Sequence, residues 1–292
     1  MKINRSILAL LFSFVAFTAL AETYTLDVGQ FEKLKVNGDM NVVYRNLPDS
    51  TGLVRYEGPE GKAGTRMFNI TAKGDGVLKV EPADNKWGRG DLPVMYVYSD
   101  FLMSVESGSN YMVDVQSLAP CAAFSVQLIG NGTVSVDNIK CNNVTAAITT
   151  GNGSIYLSGA CINANFRMVG AGLISADRLR CDNVKCRILG TGTIGCWPKD
   201  NLKVTGLGTT KIYYKGDPEI KKSGGGKLFE LPEEMDQDDY EKLGTPVTSF
   251  DTDSDDDDES AYEEDDSDDD EEDSDEEEEE DDDYQTVVTK DD

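Results

Sequence analysis

The chain has 292 residues, with 27 lysines and arginines against 55 aspartates and glutamates, six cysteines and no histidine, for a formal net charge of −28. Without histidine it lacks the commonest general base and zinc ligand, and without a surplus of bases it is poorly equipped to neutralise phosphates, which disfavours nucleic-acid binding. The charge is also segregated: residues 251–292 hold 28 acids and one lysine, leaving 27 acids and 26 bases for residues 1–250, a near-neutral body before a polyanion.

Residues 1–21 read as an export signal. Lys2 and Arg5 make a positive start, Ile7 to Leu20 is an almost unbroken apolar run, and Ala19-Leu20-Ala21 supplies a small-x-small cleavage pattern, so cleavage is expected after Ala21. The apolar run is short and wrongly flanked for an anchor, and no later segment approaches the roughly 20 apolar residues of a spanning helix. No cysteine sits at the cleavage site, so no lipid anchor is indicated. Export places the six cysteines where disulfides persist.

Residues 22–104 alternate apolar and polar positions in short runs, with strands expected at Leu34 to Val36, Met40 to Tyr44, Val54 to Glu57, Phe68 to Thr71, Val77 to Val80 and Val94 to Tyr98. This part is expected to cap the open end of the repeats, since stacked strands would otherwise expose an unpaired edge. The loop from Trp87 to Pro93 contains Arg89-Gly90-Asp91, the tripeptide that integrins recognise, built from ordinary loop residues.

From residue 105 the chain is periodic. Cys121, Cys141, Cys161 and Cys181 recur at one fixed interval, and each opens a stretch of alternating apolar residues, a Gly-x-Gly and a second alternating stretch. Phe124, Val126 and Leu128 precede Gly130-Asn131-Gly132; the same grammar surrounds Gly151-Asn152-Gly153, Gly170-Ala171-Gly172, Gly190-Thr191-Gly192 and, in a shorter fifth unit, Gly206-Leu207-Gly208. Alternation means strands with one buried face, and a β-rich repeat of about 20 residues means a solenoid. The expected fold is all-β, a parallel β-helix with a β-rich N-terminal cap; hairpins with Gly-x-Gly turns packed as an antiparallel sandwich are the alternative.

Stacked coils put equivalent residues about 4.8 Å apart, within the reach of a disulfide. The ladder can therefore bridge vertically, most economically Cys121 to Cys141 and Cys161 to Cys181, while Cys186 and Cys196 flank a Gly-x-Gly at apolar-phase positions and can meet inside one coil. All six are disulfide candidates, with reduced cysteines packed as small hydrophobes as the alternative. A column offers no tetrahedral shell, so no metal is expected there. The acids of the repeats, Asp114, Asp137, Asp177 and Asp182, share no column, and no catalytic residues are expected. Asn131, Thr133, Asn152, Ser154, Thr191 and Thr193 near the corners suit a polar strip for glycans or simply turns.

The tail is nearly pure Asp, Glu and Ser from Asp251 to Asp283, and such composition predicts an extended, disordered segment over 231–292. It has no cofactor site beyond weak, multivalent Ca²⁺ binding by runs such as Asp255, Asp256, Asp257, Asp258, Glu276, Glu277 and Glu278, the alternative being a solubilising tether without a ligand.

Phe31-Glu32-Lys33-Leu34-Lys35-Val36-Asn37-Gly38 followed by Met40-Asn41-Val42-Val43-Tyr44, then Gly76 to Val80, Val94 to Tyr98 leading into Ser107-Gly108-Ser109, the Gly-x-Gly strands, Lys211 to Pro218 and Ser223-Gly224-Gly225-Gly226 resemble an exported bacterial family, described as putative autotransporter adhesins with a head GIN domain. The resemblance covers most of residues 29–228. It implies a parallel β-helix in an exported protein, common in Bacteroidetes, with no catalytic residues. The six cysteines and the long acidic tail depart from the family. The expected organisation is a signal peptide at 1–21, a β-helix domain at 22–230 (N-terminal β part 22–104, repeat coils 105–230) and the tail. The expected function is that of a non-enzymatic interaction protein of the periplasm or cell surface, whose ligand is an unidentified glycan or protein. The alternative is an envelope structural or low-affinity cation-binding protein acting through the tail. No nucleic acid and no membrane span in the mature chain are expected.

Overall fold

A computed structural model describes residues 21–83, 92–242 and 288–289. In chain order its strands are β1 (Ala21–Asp27), β2 (Lys33–Asn37), β3 (Val42–Arg45), β4 (Leu53–Pro59), β5 (Phe68–Lys73), β6 (Val77–Pro82), β7 (Met95–Tyr98), β8 (Ser104–Gly108) and β9 (Met112–Val115), with a single helical turn α1 (Lys62–Thr65) between β4 and β5. The repeats follow as β10 (Cys121–Ile129), β11 (Thr133–Thr150), β12 (Ser154–Met168), β13 (Leu173–Ile188), β14 (Thr193–Gly206), β15 (Lys211–Tyr214), β16 (Glu219–Gly224) and β17 (Lys227–Glu230); β18 (Val288–Thr289) is a two-residue strand on the edge of β1.

From β10 to β17 every pairing is parallel, each strand matched to its counterpart in the next coil: Cys121 with Cys141, Val144 with Ala164, Phe166 with Cys186. This is a parallel β-helix, and the sandwich alternative is excluded. Each coil has a long face (residues 121–129, 143–148, 163–168, 183–188, 201–206 and β16) and a short face (133–136, 154–157, 173–176, 193–196, then β15 and β17), joined at the Gly-x-Gly corner. The inward columns are aliphatic, and large residues sit above small ones: Ala146 pairs with Phe166, which pairs with Cys186, all within 1 % of complete burial. Such alternation of large and small residues is how neighbouring layers of a narrow interior interdigitate.

The corners need glycine because coils touch there backbone to backbone. Ala171 N–H bonds to Gly151 O at 3.1 Å, and Leu173 N–H to Gly153 O at 3.0 Å. A Cβ on Gly172 would collide with the oxygen of Gly153, so the second glycine of this corner is fixed by close approach.

The N-terminal part departs from expectation in one respect. It is more than a cap, because its strands β2, β3 and β6 to β9 are coils of the same stack laid down out of order. β2 pairs in parallel with both β6 and β8, and β3 with both β7 and β9, so the β2–β3 coil is enclosed between two coils made later in the sequence. The cap proper is antiparallel: β1 on β4, β4 on β7, and β5 on β6. Its core is aromatic, with Tyr24 stacked on Tyr56 at 5.4 Å and Tyr56 edge-on to Phe68 at 4.9 Å. Strand β1 went unpredicted because Thr23, Tyr24 and Thr25 follow the cleavage site without a turn signal between.

The body also extends beyond residue 230. Leu231 N–H bonds to Tyr214 O at 2.7 Å, and a 3-10 turn at Gln237–Lys242 lays Tyr240 flat on Tyr213 with ring centroids 4.1 Å apart. Residues 231–242 thus form a strap across the short face and are not part of a disordered tail. Leu231 and Tyr240, both buried, supply the apolar surface that the surrounding acids hid from a compositional reading.

Candidate binding surface

The cysteine ladder forms two vertical bridges, Cys121–Cys141 and Cys161–Cys181, with Cα separations of 4.8 and 4.7 Å. Cys186 and Cys196 are thiols, which corrects their place among the disulfide candidates. They belong to one coil, on opposite walls, both fully buried. The neighbouring Cys186 and burial push the Cys196 thiol well above its ordinary value. In the fifth unit the ladder ends: Pro198 takes the register position opposite Cys181. Trp197 fills the adjacent place, under the guanidinium of Arg180 (5.8 Å) and the ammonium of Lys215 (5.3 Å).

The corner polar strip divides. Asn131 is a turn former, its Oδ1 accepting from Asn152 N–H at 3.0 Å. Thr133, Ser154 and Thr193 share a register column, but Leu173 interrupts it. The four acids of the repeats are scattered, as expected. Asp137 accepts from Ser158 at 2.9 Å, Asp114 from Gln116 at 2.8 Å, and Asp182 faces Lys199 at 3.9 Å. Asp177, however, is buried under the strap, its Oδ1 accepting from Ser175 (2.7 Å) and from Tyr240 (3.1 Å). Burial and the Asp177 charge together hold the Tyr240 phenol far above its usual range. Beside it Arg178 grips Asp236, which lowers the pKa of that carboxyl. The strap is therefore locked at both ends of its turn.

One further column was legible in the sequence and went unpredicted. Asn143, Asn163, Asn183 and Asn201 stack in register on the long face, each amide donating to the one before it, at 3.0, 3.1 and 2.7 Å. In three of the four repeats the residue two places after the cysteine is asparagine, a signal that shares the stronger period of the cysteines beside it.

In the N-terminal part an open cleft of about 710 Å³ runs between the start of β2, the β5–β6 turn and the loop after β7, lined by Gln30, Glu32, Asp75, Asp100 and Phe101 among others. Phe101 is 61 % exposed at its mouth. Gln30 donates to Asp100 at 3.0 Å and accepts from Ser99 at 3.2 Å, while Thr51 donates to the other Asp100 oxygen, so the polar wall is held in place before any ligand arrives. An aromatic ring beside fixed amide and carboxylate groups is a surface for a small polar ligand.

Arg89-Gly90-Asp91, residues 1–20 of the export signal, and the tail acids Asp255 to Asp258 and Glu276 to Glu278 lie outside the described residues. Ala21 is the first residue of β1, paired with Pro59. Among the described residues no group of three His, Cys, Asp or Glu side chains is placed to hold a metal ion, and no helix is long and apolar enough to cross a membrane.

Comparison with known proteins agrees with this architecture. A putative adhesin from Bacteroides fragilis NCTC 9343 has a similar crystal structure, with a TM-score of 0.64 and 21 % identity over 73 % of this chain and 97 % of that one. A putative lipid binding protein from Parabacteroides distasonis ATCC 8503 gives 0.55 and 18 % over 73 % and 98 %. A putative adhesin from Parabacteroides merdae ATCC 43184 gives 0.52 and 20 % over 74 % and 97 %. At these identities the likeness is one of fold. No curated protein matches the chain in sequence. The model of the family "putative auto-transporter adhesin, head GIN domain" matches residues 30–218, from the start of the cleft to the fifth coil, and the chain belongs to that family.

Proposed function

We propose that the protein is an exported, non-enzymatic adhesin that holds a glycan by the cleft beside Phe101. Membership of an adhesin family supports a surface ligand, and the cleft is the observation that carries the reading. An exposed aromatic ring can lie against the apolar face of a sugar, while Gln30 and the carboxylates of Glu32, Asp75 and Asp100 are spaced around it to bond hydroxyls. Three acids and no base in that polar wall favour neutral or amino sugars over uronates, because a carboxylate ligand would meet like charge at short range. Nothing in this chemistry makes or breaks a bond; the rigid coils serve to display the cleft.

A glycan array probed with the full chain tests the reading. At least one neutral or amino-sugar glycan should bind, and Phe101→Ala should weaken it about tenfold or more, as loss of an aromatic anchor does. Silence across the array would overturn the glycan assignment. Binding unchanged by Phe101→Ala would overturn the site.

A further inference from the structure

The outward side chains of the long face fall into three neighbouring columns. Asn143, Asn163, Asn183, Asn201 and Glu219 form the first. Thr145, Asn165, Lys185, Lys203 and Lys221 form the second, and Ala147, Arg167, Arg187, Thr205 and Ser223 the third. Five of these positions are basic and only Glu219 is acidic, although residues 22–250 carry 27 acids against 24 bases. Glu219 pairs with Lys221 at 3.4 Å; Arg167, Lys185, Arg187 and Lys203 make no ion pair among the described residues. Register partners at the cysteines are 4.7 to 4.8 Å apart, so Arg167 stands beside Arg187, and Lys185, Lys203 and Lys221 stand in a row. Like charges directly opposite on neighbouring strands repel, and among the described residues only Glu219, at the last member of the row, offsets them.

We propose that this basic field is the docking surface for the chain's own acidic segment, residues 251–283, which is almost wholly Asp, Glu and Ser. Charge complementarity is the first argument, since the stretch from residue 251 to the end holds 28 of the chain's 55 acids. Where the described body stops is the second. The strap ends at Lys242, and Tyr240 is fastened against Gly195 and Asp177. Those residues belong to β13 and β14, the strands that carry Lys185, Arg187 and Lys203 on the other face. The stretch from Lys242 to Asp251 spans up to about 30 Å when extended, enough to turn one corner of the solenoid. Tethering at that range gives an effective concentration on the order of millimolar. The acid-lined cleft in the N-terminal part lies apart from this field.

Zero-length carbodiimide cross-linking of the full chain, read by mass spectrometry, tests this. At about 0.05 M salt, bonds from tail carboxylates should concentrate at Lys185, Lys203 and Lys221 over the exposed Lys33 and Lys140 by about fivefold or more. The excess should vanish near 1 M salt, where the screening length falls to about 3 Å. Replacing Arg167→Gln and Arg187→Gln leaves the reporting lysines in place and should lower their yield about threefold or more, whereas mere proximity would leave it unchanged. An even spread over all lysines, insensitivity to the arginine changes, or bonds found only in cross-linked dimers would each overturn docking within one chain.

Discussion

The two halves of the stack reach the same geometry by opposite routes. In the repeats, spatial neighbours lie one repeat apart in sequence, and successive coils repeat the same chemistry: a glycine corner and a buried apolar column, with a cysteine in four coils (Cys121, Cys141, Cys161, Cys181) and an asparagine in four (Asn143, Asn163, Asn183, Asn201). In the N-terminal half, Arg45 bonds to Gln116 across 71 residues, and the β2–β3 coil is closed in by strands made later. Local periodicity makes the repeats tolerant of a lost side chain but intolerant of any change that alters the coil spacing. Long-range closure makes the N-terminal half depend on a few large buried groups, and on contacts that form late because their loops are costly to close.

The largest effect should come from breaking the spacing. Gly172→Val places a branched side chain against the carbonyl oxygen of Gly153, where only backbone contact is possible. The coils must part or the corner must distort, and destabilisation of about 4 kcal/mol or more is expected in denaturant unfolding, in the range reserved for severe overpacking. A loss below about 1 kcal/mol, the size of an ordinary substitution, would show that the corners are not what sets the rise.

Next come the vertical bridges. Replacing Cys161 and Cys181 together by alanine opens a bridge of sequence separation 20, which costs about 3 kcal/mol by chain entropy. Because the closed loop lies wholly within the repeats, hydrogen exchange should quicken in β12 and β13 and stay unchanged in β1–β7. Equal quickening in both halves would mean that the stack unfolds as one unit. The same experiment counts thiols: native protein should offer none to a thiol reagent, and unfolded, unreduced protein two, from the buried Cys186 and Cys196.

The N-terminal half should respond to alkali where coils β10–β12, which bury no tyrosine, do not; the strap, whose Tyr240 phenol is also raised, should respond as well. Burial, helped by neighbouring Tyr24, pushes the Tyr56 phenol up to about 12, and burial raises Tyr44 further. A phenol whose folded pKa lies above its unfolded value favours folding fully below about pH 10 and loses that contribution as pH climbs through 12. Protection in β3 and β4 should therefore fall between pH 10 and 12 ahead of protection in β11 and β12. Tyr56→Phe, which removes a 3.2 Å bond to Gly64 O, should cost about 1 kcal/mol at pH 7 and flatten the alkaline loss.

These contrasts also explain what the sequence disclosed. The coils were legible because four constraints share one period, so the register of Cys121, Cys141, Cys161 and Cys181 followed from counting. The out-of-order coil was not, because Lys33–Asn37 and Val77–Pro82 carry no mark saying which lies against which; parallel partners far apart in sequence share only an alternating pattern. The strap was hidden because Tyr240 stands among Asp238, Asp239 and Glu241, and composition averages over the one side chain that docks. Phe101 and the cleft around it depend on three separate loops meeting, which no local pattern encodes.

The smallest effect tests whether a repeated column is structural or merely repeated. Asn163 donates to Asn143 and accepts from Asn183, so Asn163→Ala removes two amide bonds from the ladder at once. Both are exposed, and water can satisfy the groups left behind, so each bond contributes only the modest surplus of a protein hydrogen bond over a solvated one. A shift of about 1 kcal/mol or less is expected, far below that of Gly172→Val a short way along the same chain. A shift above about 2 kcal/mol, more than two such bonds ordinarily contribute, would mean that amide stacking, and not the aliphatic interior and the glycine corners, holds the coils in register. A shift near zero would leave the ladder as exposed surface, free to be used for recognition on the same face as the basic field.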